Sequence, residues 1–214
     1  MGFLEHSSCQ LPQQLGKPIC VVSPQFVLPH PVDLVSGKKL LTLSDGNFGL
    51  TDVNGNLMFK VKKKLLNVHG KRLLVDATGN RILTFQKKLT SARKRWQCFR
   101  GDSTDPRDHV FTAKQSNRTQ FRTSLEVYLA SNRNQDVSDF HVKGNWFEKC
   151  CTVYAGESTT VIAEINKKKN VQSTMFGVDA YNVTVYPNVD YAFVVALTAI
   201  LNEINDEKSN DDDK

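Results

Sequence analysis

The feature that most constrains the fold is an unbroken apolar segment near the C-terminus, Val189–Leu201, in which Thr198 is the one polar residue after Tyr191. A helix formed here has no polar stripe, so it has to be buried on every side. Pro187-Asn188 predicts an N-cap, and Asp190 places a carboxylate in the first turn, where the helix dipole favours one. The apolar stretch spans about 20 Å, too short to cross a bilayer core of ~30 Å.

The rest of the chain has the pattern of a β-rich domain. Between residues 40 and 186, apolar and polar residues alternate in short runs such as Leu57–Lys62 and Leu125–Leu129, as in half-buried strands. Turn dipeptides such as Asn54-Gly55 favour tight hairpins between them. This pattern predicts a mainly β fold: a closed antiparallel β-barrel of about twelve strands around a central hydrophobic C-terminal α-helix. The alternative, a sandwich capped by a helix, would usually show a polar stripe on that helix.

The barrel is predicted to occupy residues 31–205, with its helix at about 189–205. Residues 1–30 hold four of the seven prolines, which lack a ladder donor, so a flexible leader is predicted there. Residues 206–214 are acidic and low in complexity, which predicts a disordered tail. The formal net charge of the chain is +6, and the acidic tail makes the folded body more basic than that value.

The N-terminal residues and the cysteines indicate an intracellular protein. The first residues lack the basic and apolar regions of a secretory signal, and the five cysteines form an odd set without Cys-x-x-Cys spacing, as is typical of reduced thiols. We expect a cytoplasmic protein, with a peripheral position at the plasma membrane or a nuclear one left open. Gly2 fits an N-myristoylation motif but His6 does not, so lipidation is also left open.

Ten short segments occur in an order that resembles a known plant family. They are Leu43–Phe48, Thr51–Leu57, Phe59–Val61, Arg95–Gln97, Phe99–Gly101, Ser103–Asp105, Val142–Gly144, Val153–Ser158, Val171–Ser173 and Val183–Phe193. With them the chain resembles the LURP-one-related family from about residue 31 to residue 205. The resemblance implies a tubby C-terminal-like fold, which is shared with the phosphoinositide-binding, membrane-tethered tubby-like proteins and with phospholipid scramblases. It also implies a role in plant defence, although a fold alone does not fix a function.

Three basic clusters are the candidate ligand-binding residues. They could recognise a phosphoinositide headgroup or an anionic membrane surface, where each Lys or Arg contributes about 1 kcal/mol. The alternative is solubilising charge at strand ends, where lysine also discourages edge-to-edge aggregation. The clusters are Lys62, Lys63 and Lys64; Arg93, Lys94 and Arg95, with Lys87 and Lys88 nearby; and Lys167, Lys168 and Lys169.

Catalytic chemistry has no support in the sequence. Nucleophile-elbow, zinc-protease, Walker and dinucleotide motifs are absent, and the five histidines are scattered. We therefore expect no enzyme activity, no catalytic residues, no cofactor and no metal site. Direct nucleic-acid binding is not expected either, since no helix-turn-helix, zinc finger or RNP-like motif accompanies the cations. Two hypotheses follow for what we expect to be a monomer: a membrane-tethered regulator that binds anionic lipid, or a soluble protein–protein interaction scaffold without a lipid ligand.

Overall fold

The computed structural model describes residues 17–36, 48–63, 71–88, 94–116, 123–167 and 180–211. These residues form twelve strands, one long helix and two short 3-10 helices, Pro24–Phe26 and Pro106–Asp108. The strands are β1 (Val32–Ser36), β2 (Phe48–Thr51), β3 (Leu57–Lys63), β4 (Arg72–Asp76), β5 (Arg81–Lys88), β6 (Arg95–Arg100), β7 (His109–Gln115), β8 (Thr123–Leu129), β9 (Phe140–Asn145), β10 (Cys150–Ala155), β11 (Val161–Lys167) and β12 (Tyr181–Val185). The helix α1 is Tyr191–Asp211.

The twelve strands close into one antiparallel barrel. Each strand pairs with its neighbours in the sequence, and β1 pairs with both β2 and β12. Leu34 of β1 lies opposite Val183 of β12, and Val35 lies opposite Thr51 of β2. Each of the twelve described strands thus has a paired neighbour on both sides, whereas an open sheet would present two edge strands as templates for aggregation. The predicted closed barrel of about twelve strands is confirmed.

Helix α1 fills the barrel. Every residue from Ala192 to Leu201 is at most 2% exposed. The strands surround the helix, so each face of the helix packs against the inner side of the barrel wall. The one polar side chain in that stretch, Thr198, donates its hydroxyl to the carbonyl of Val194 at 2.9 Å and so needs no partner from the barrel wall. The predicted central helix is confirmed.

Phe193 is the aromatic centre of this core. Its ring lies edge-on to Phe111 at 5.3 Å between centroids and is tilted against Phe140 at 4.9 Å. Aromatic pairs in this range of distance and angle stabilise a core beyond their buried area. The helix and strands β7 and β9 are therefore joined at one point in the barrel interior.

The start of the helix differs from the prediction. The structure places the N-cap at Asp190 rather than at Asn188, which has a left-handed φ of 63°. Oδ1 of Asp190 accepts the backbone N–H of Phe193 at 3.1 Å, the usual N-cap contact with the third helical residue. The helix continues to Asp211, beyond the predicted end near residue 205, and residues 212–214 lie outside the described residues.

Residues 17–30, predicted as part of a flexible leader, make specific contacts with the barrel. Oδ2 of Asp190 accepts the backbone N–H groups of Val21, Val22 and Ser23 at 3.1, 2.6 and 3.1 Å. Phe26 is buried, and its ring packs edge-on against that of Tyr191 with 5.4 Å between the ring centroids. The proline content suggests a flexible segment, but Pro24 begins a short 3-10 helix. The buried carboxylate of Asp190 binds the backbone just before that helix. Residues 1–16 lie outside the described residues.

Burial raises the pKa of the Asp190 carboxyl above its ordinary value, and the backbone N–H groups that it accepts act against that rise. With its folded-state pKa above its unfolded value, the native protein binds more protons than the unfolded chain between those two values. Stability from this group therefore falls as the pH rises through that window.

Replacing Phe193 by Ala should lower the free energy of unfolding by about 3–5 kcal/mol, because it leaves a cavity in a core without solvent access. Urea denaturation measures this change. Phe147→Ala is the matched control, because Phe147 is 78% exposed and its loss should change stability by less than about 0.5 kcal/mol. Equal effects of the two variants would contradict the buried-helix core.

Asp190→Asn should destabilise the protein by about 1–3 kcal/mol. An amide cannot accept on both atoms, so at least one buried backbone N–H loses its acceptor. Hydrogen exchange at Val21, Val22 and Ser23 should accelerate together. The exposed Asp136→Asn is the control, and unchanged exchange at the three amides would show that the carboxylate does not hold this segment.

Candidate functional site

The antiparallel topology brings alternate connections to the same end of the barrel. We call the end that contains the last residues of β3 and β11 and the first residues of β4 and β6 the basic end, and the opposite end the acidic end. Helix α1 begins at the acidic end, next to the end of β12, and leaves at the basic end. There the carboxylate of Glu203 accepts two hydrogen bonds, at 2.6 and 2.7 Å, from the guanidinium of Arg72, the first residue of β4.

The two ends differ in the sign of their charge. The six sequence segments that connect strands at the basic end are 37–47, 64–71, 89–94, 116–122, 146–149 and 168–180, and they contain eleven Lys or Arg against three Asp or Glu. The segments at the acidic end are 52–56, 77–80, 101–108, 130–139, 156–160 and 186–190, with two Lys or Arg against eight Asp or Glu. The sequence segments that join strands at the two ends therefore differ in the sign of their charge, which the modest net charge of the chain does not show.

The carboxylates of the acidic end take part in forming their own turns. Asp52 accepts the backbone N–H groups of Asn54 and Asn56 at 2.9 and 2.8 Å. Asp76 accepts those of Thr78 and Asn80 at 3.0 and 2.8 Å. The hydrogen bond from the Asn56 side chain contributes most to lowering the pKa of Asp52. These are ordinary Asx turns, so local folding accounts for the two carboxylates.

The described members of the predicted ligand-binding clusters all lie at the basic end. Lys62 is exposed and Lys63 ends β3; Lys94 precedes β6 and Arg95 opens it; Lys167 is exposed and ends β11. The other predicted members lie outside the described residues: Lys64, Arg93, Lys168 and Lys169. In the sequence each of these four belongs to a segment that connects strands at the same end.

The three clusters surround the rim of the barrel instead of meeting in one pocket. In the strand order, β3 and β6 are three positions apart, β11 and β3 four, and β6 and β11 five. At the usual spacing of 4.7–4.9 Å between strands, these separations are about 14–24 Å along the wall. The arrangement suits contact with an extended anionic surface better than enclosure of one headgroup.

Cross-strand pairing adds one cation, Lys114, to the second cluster. Lys88 pairs with Arg95, and Arg95 pairs with Lys114, so three cations lie side by side on β5, β6 and β7. Like charges directly opposite each other destabilise a sheet. Lys114 is 3.9 Å from Glu126, whereas Nε of Arg95 is buried without a hydrogen-bond partner. Strand counting would have revealed this row, because it predicts which cations share an end.

A groove of about 540 Å³ lies on the barrel wall. Its lining includes the amides of Gln86 and Gln97, the ammonium group of Lys71 and the imidazole of His109. Burial lowers the pKa of His109, which keeps the ring neutral at neutral pH. Nζ of Lys71 lies 3.4 Å from the hydroxyl of Thr104. The groove offers hydrogen bonds to a small polar molecule but only one charge.

Of the described cysteines, Cys98 and Cys151 are buried and Cys20 and Cys150 are exposed. Burial raises the pKa of Cys98 well above its ordinary value and that of Cys151 to about 12, so both thiols are protonated at neutral pH. In the part of the chain that the structure describes, no group of three His, Cys, Asp or Glu residues could hold a metal ion. Among the same residues, no helix combines the length and apolarity needed to span a membrane.

Comparison with known proteins agrees with this architecture. Residues 32–202 match the sequence model of the LURP-one-related family. The chain is similar to a protein of Arabidopsis thaliana solved by X-ray crystallography, with a TM-score of 0.69 and 41% identity, and the match covers 87% of this chain and 98% of that one. The shared architecture is thus a closed barrel around a C-terminal helix.

Sequence relatives identify the family. Protein LURP-one-related 15 of Arabidopsis thaliana is 48% identical, with 87% of this chain and 86% of the relative covered. Protein LURP-one-related 10 of the same plant is 46% identical, with 90% of this chain and 100% of the relative covered. The chain belongs to the LURP-one-related family, which confirms the resemblance found in the sequence.

Proposed function

We propose that this LURP-one-related protein is a non-enzymatic regulator that binds anionic membrane surfaces through the basic end of its barrel. The observation that carries the proposal is the charge of the sequence segments that connect strands at that end, which contain eleven Lys or Arg against three Asp or Glu. Near an anionic bilayer each Lys or Arg contributes about 1 kcal/mol. A few such residues acting together suffice for reversible peripheral binding.

The charge separation also fixes an orientation. The barrel would approach a negative surface with its basic end forward, because its acidic end is repelled. Asx turns account for Asp52 and Asp76 at that acidic end, whereas Lys62, Lys88 and Lys167 at the basic end are exposed at or near the ends of their strands. A charged rim that local folding does not require is the stronger indication of an external partner.

The proposed ligand is an anionic lipid surface, phosphoinositides included. Because the clusters are spread over about 14–24 Å around the wall, binding should depend on surface charge density more than on the isomer of one headgroup. Helix α1 is enclosed by the barrel, so the proposal is membrane tethering and not lipid transport.

The biological setting is part of the proposal. The cytoplasmic face of the plasma membrane carries anionic lipid, and we place the protein in the cytoplasm and peripherally at that face. The family resemblance implies a fold shared with tubby-like proteins and phospholipid scramblases, and this supports membrane association at the level of fold alone. A regulatory role in plant defence extends the same resemblance. The competing function is a soluble interaction scaffold that does not respond to lipid.

The first test compares two triple variants that change the net charge equally. Lys62, Lys88 and Lys167, all exposed at the basic end, are replaced by Gln in one, and Arg81, Arg107 and Arg133, all exposed near the acidic end, in the other. Affinity for vesicles that contain phosphatidylserine should fall by about 10- to 100-fold in the first and less than twofold in the second. Vesicle sedimentation measures both.

Three outcomes count against the proposal. If the wild-type protein binds these vesicles no better than phosphatidylcholine vesicles, membrane association is wrong. If both triple variants lose affinity equally, net charge and not the basic end is responsible. Capture of a discrete protein partner without any lipid response would favour the scaffold.

The C-terminal residues give a second test. Helix α1 leaves at the basic end, and residues 206–214 contain five acidic residues against two lysines. The last described buried residue is Ile204. Deleting residues 206–214 should therefore strengthen binding to phosphatidylserine vesicles severalfold at low salt, with the difference shrinking as salt screens it. Weaker binding by the folded truncation would contradict this electrostatic account.

A further inference from the structure

The turn between β9 and β10, residues 146–149, presents an aromatic side chain to solvent at the basic end. Phe147 is 78% exposed, more than any other large hydrophobic residue among those the structure describes. The next most exposed, Val53 and Val137 at 65% and 52%, lie in connections at the acidic end. Phe147 is followed by the exposed Glu148 and then by Lys149, and the connections that contain Val53 and Val137 hold Asp52, Asp136 and Asp139. What distinguishes Phe147 is its place at the end of the barrel where Lys62, Lys88 and Lys167 lie at or near the ends of their strands.

The turn holds this ring outward through defined contacts. Trp146 is 3% exposed and packs edge-on against Tyr181 at 5.3 Å between ring centroids. The backbone N–H of Trp146 donates to the hydroxyl of Thr123 at 3.0 Å, and that of Lys149 donates to the Trp146 carbonyl at 3.0 Å. The residue before Phe147 is thereby fixed in the core, so the exposure of Phe147 follows from the geometry of the turn.

Two further features define the shape of the turn. Nζ of Lys149 lies 4.2 Å from the ring centroid of Trp146, a cation–π contact that holds an ammonium group two residues from Phe147. Gly144 has a φ of 147°, and a Cβ there would collide with the carbonyl of Cys150. At position 144, β9 therefore approaches β10 too closely for any residue with a side chain.

A ring and an ammonium group at the apex of a supported turn match the interfacial region of a bilayer. Proteins that lie at this interface bury apolar side chains about 5–10 Å deep and keep cations at the headgroups. We propose that Phe147 inserts into an anionic membrane at the boundary between headgroups and acyl chains, while Lys149 stays at the phosphate level. This inference rests on the proposed function, because the surrounding cations bring the turn to the bilayer.

The charge around the turn selects the membrane as the occupant. An apolar pocket on a partner protein could also receive a phenyl ring, but such a pocket would need matching anions distributed around the whole rim of the barrel. A bilayer that contains anionic lipid provides an apolar layer beneath a continuous negative surface, which fits both the ring and the rim.

Phe147→Ala should weaken binding to phosphatidylserine vesicles about tenfold, which corresponds to 1.4 kcal/mol, and should leave the thermal unfolding midpoint unchanged. The loss should persist at raised salt, where cation contributions are screened. Val137→Ala at the acidic end is the matched control and should bind like the wild type.

In Phe147→Trp, the introduced indole should shift its emission to the blue on vesicle binding and be quenched by brominated lipid. The native Trp96 and Trp146 are buried and should contribute an unchanged background.

The outcomes separate this inference from the function on which it rests. If the wild-type protein ignores anionic vesicles, the proposed function fails. If the wild type binds, but Phe147→Ala binds equally well and the introduced indole shows neither shift nor quenching, insertion is wrong and purely electrostatic tethering stands. If Phe147→Ala abolishes capture by a protein partner and leaves vesicle binding intact, the ring serves a protein interface instead.

Discussion

The structure depends on the burial of an apolar helix inside a closed barrel. Neither part is stable alone, since the helix has no polar face to expose and the inward side of the wall needs a core to pack against. Each residue from Ala192 to Leu201 is at most 2% exposed, and each described strand is paired with a neighbour on both sides. The connections at the two ends of the barrel can therefore carry charge and exposed residues without carrying the core.

The same helix links the two ends. At its start, the Asp190 carboxylate gathers backbone N–H groups from Val21, Val22, Ser23 and Phe193, which brings residues 17–30 to the barrel. At the other end, Glu203 pairs with Arg72 as the helix leaves among cations. The acidic end is thus ordered by carboxylates that accept backbone donors, and the basic end presents side chains outward.

The fold could be predicted from the sequence because it has two strong signals: short runs in which apolar and polar residues alternate, and one long apolar segment without a polar face. The contacts of residues 17–30 could not be predicted, since they depend on the carboxylate of Asp190, which follows Val22 by 168 positions in the chain. The lysine runs can be read in the sequence, but only the number and order of the strands show that their described members lie at one end of the barrel. Phe147 gave a weaker signal: in the Trp146-Phe147 pair of a tight turn, one aromatic residue has to face solvent.

In the proposed orientation, the basic end of the barrel meets an anionic membrane and the acidic end faces away. Hydrogen–deuterium exchange with and without phosphatidylserine vesicles measures this orientation. We expect slower exchange on vesicles for the backbone amides of residues 145–150 and of Lys94 and Arg95, with no change at residues 52–56 and 130–139. Slowing at the acidic end, or equal slowing at both ends, would contradict this orientation.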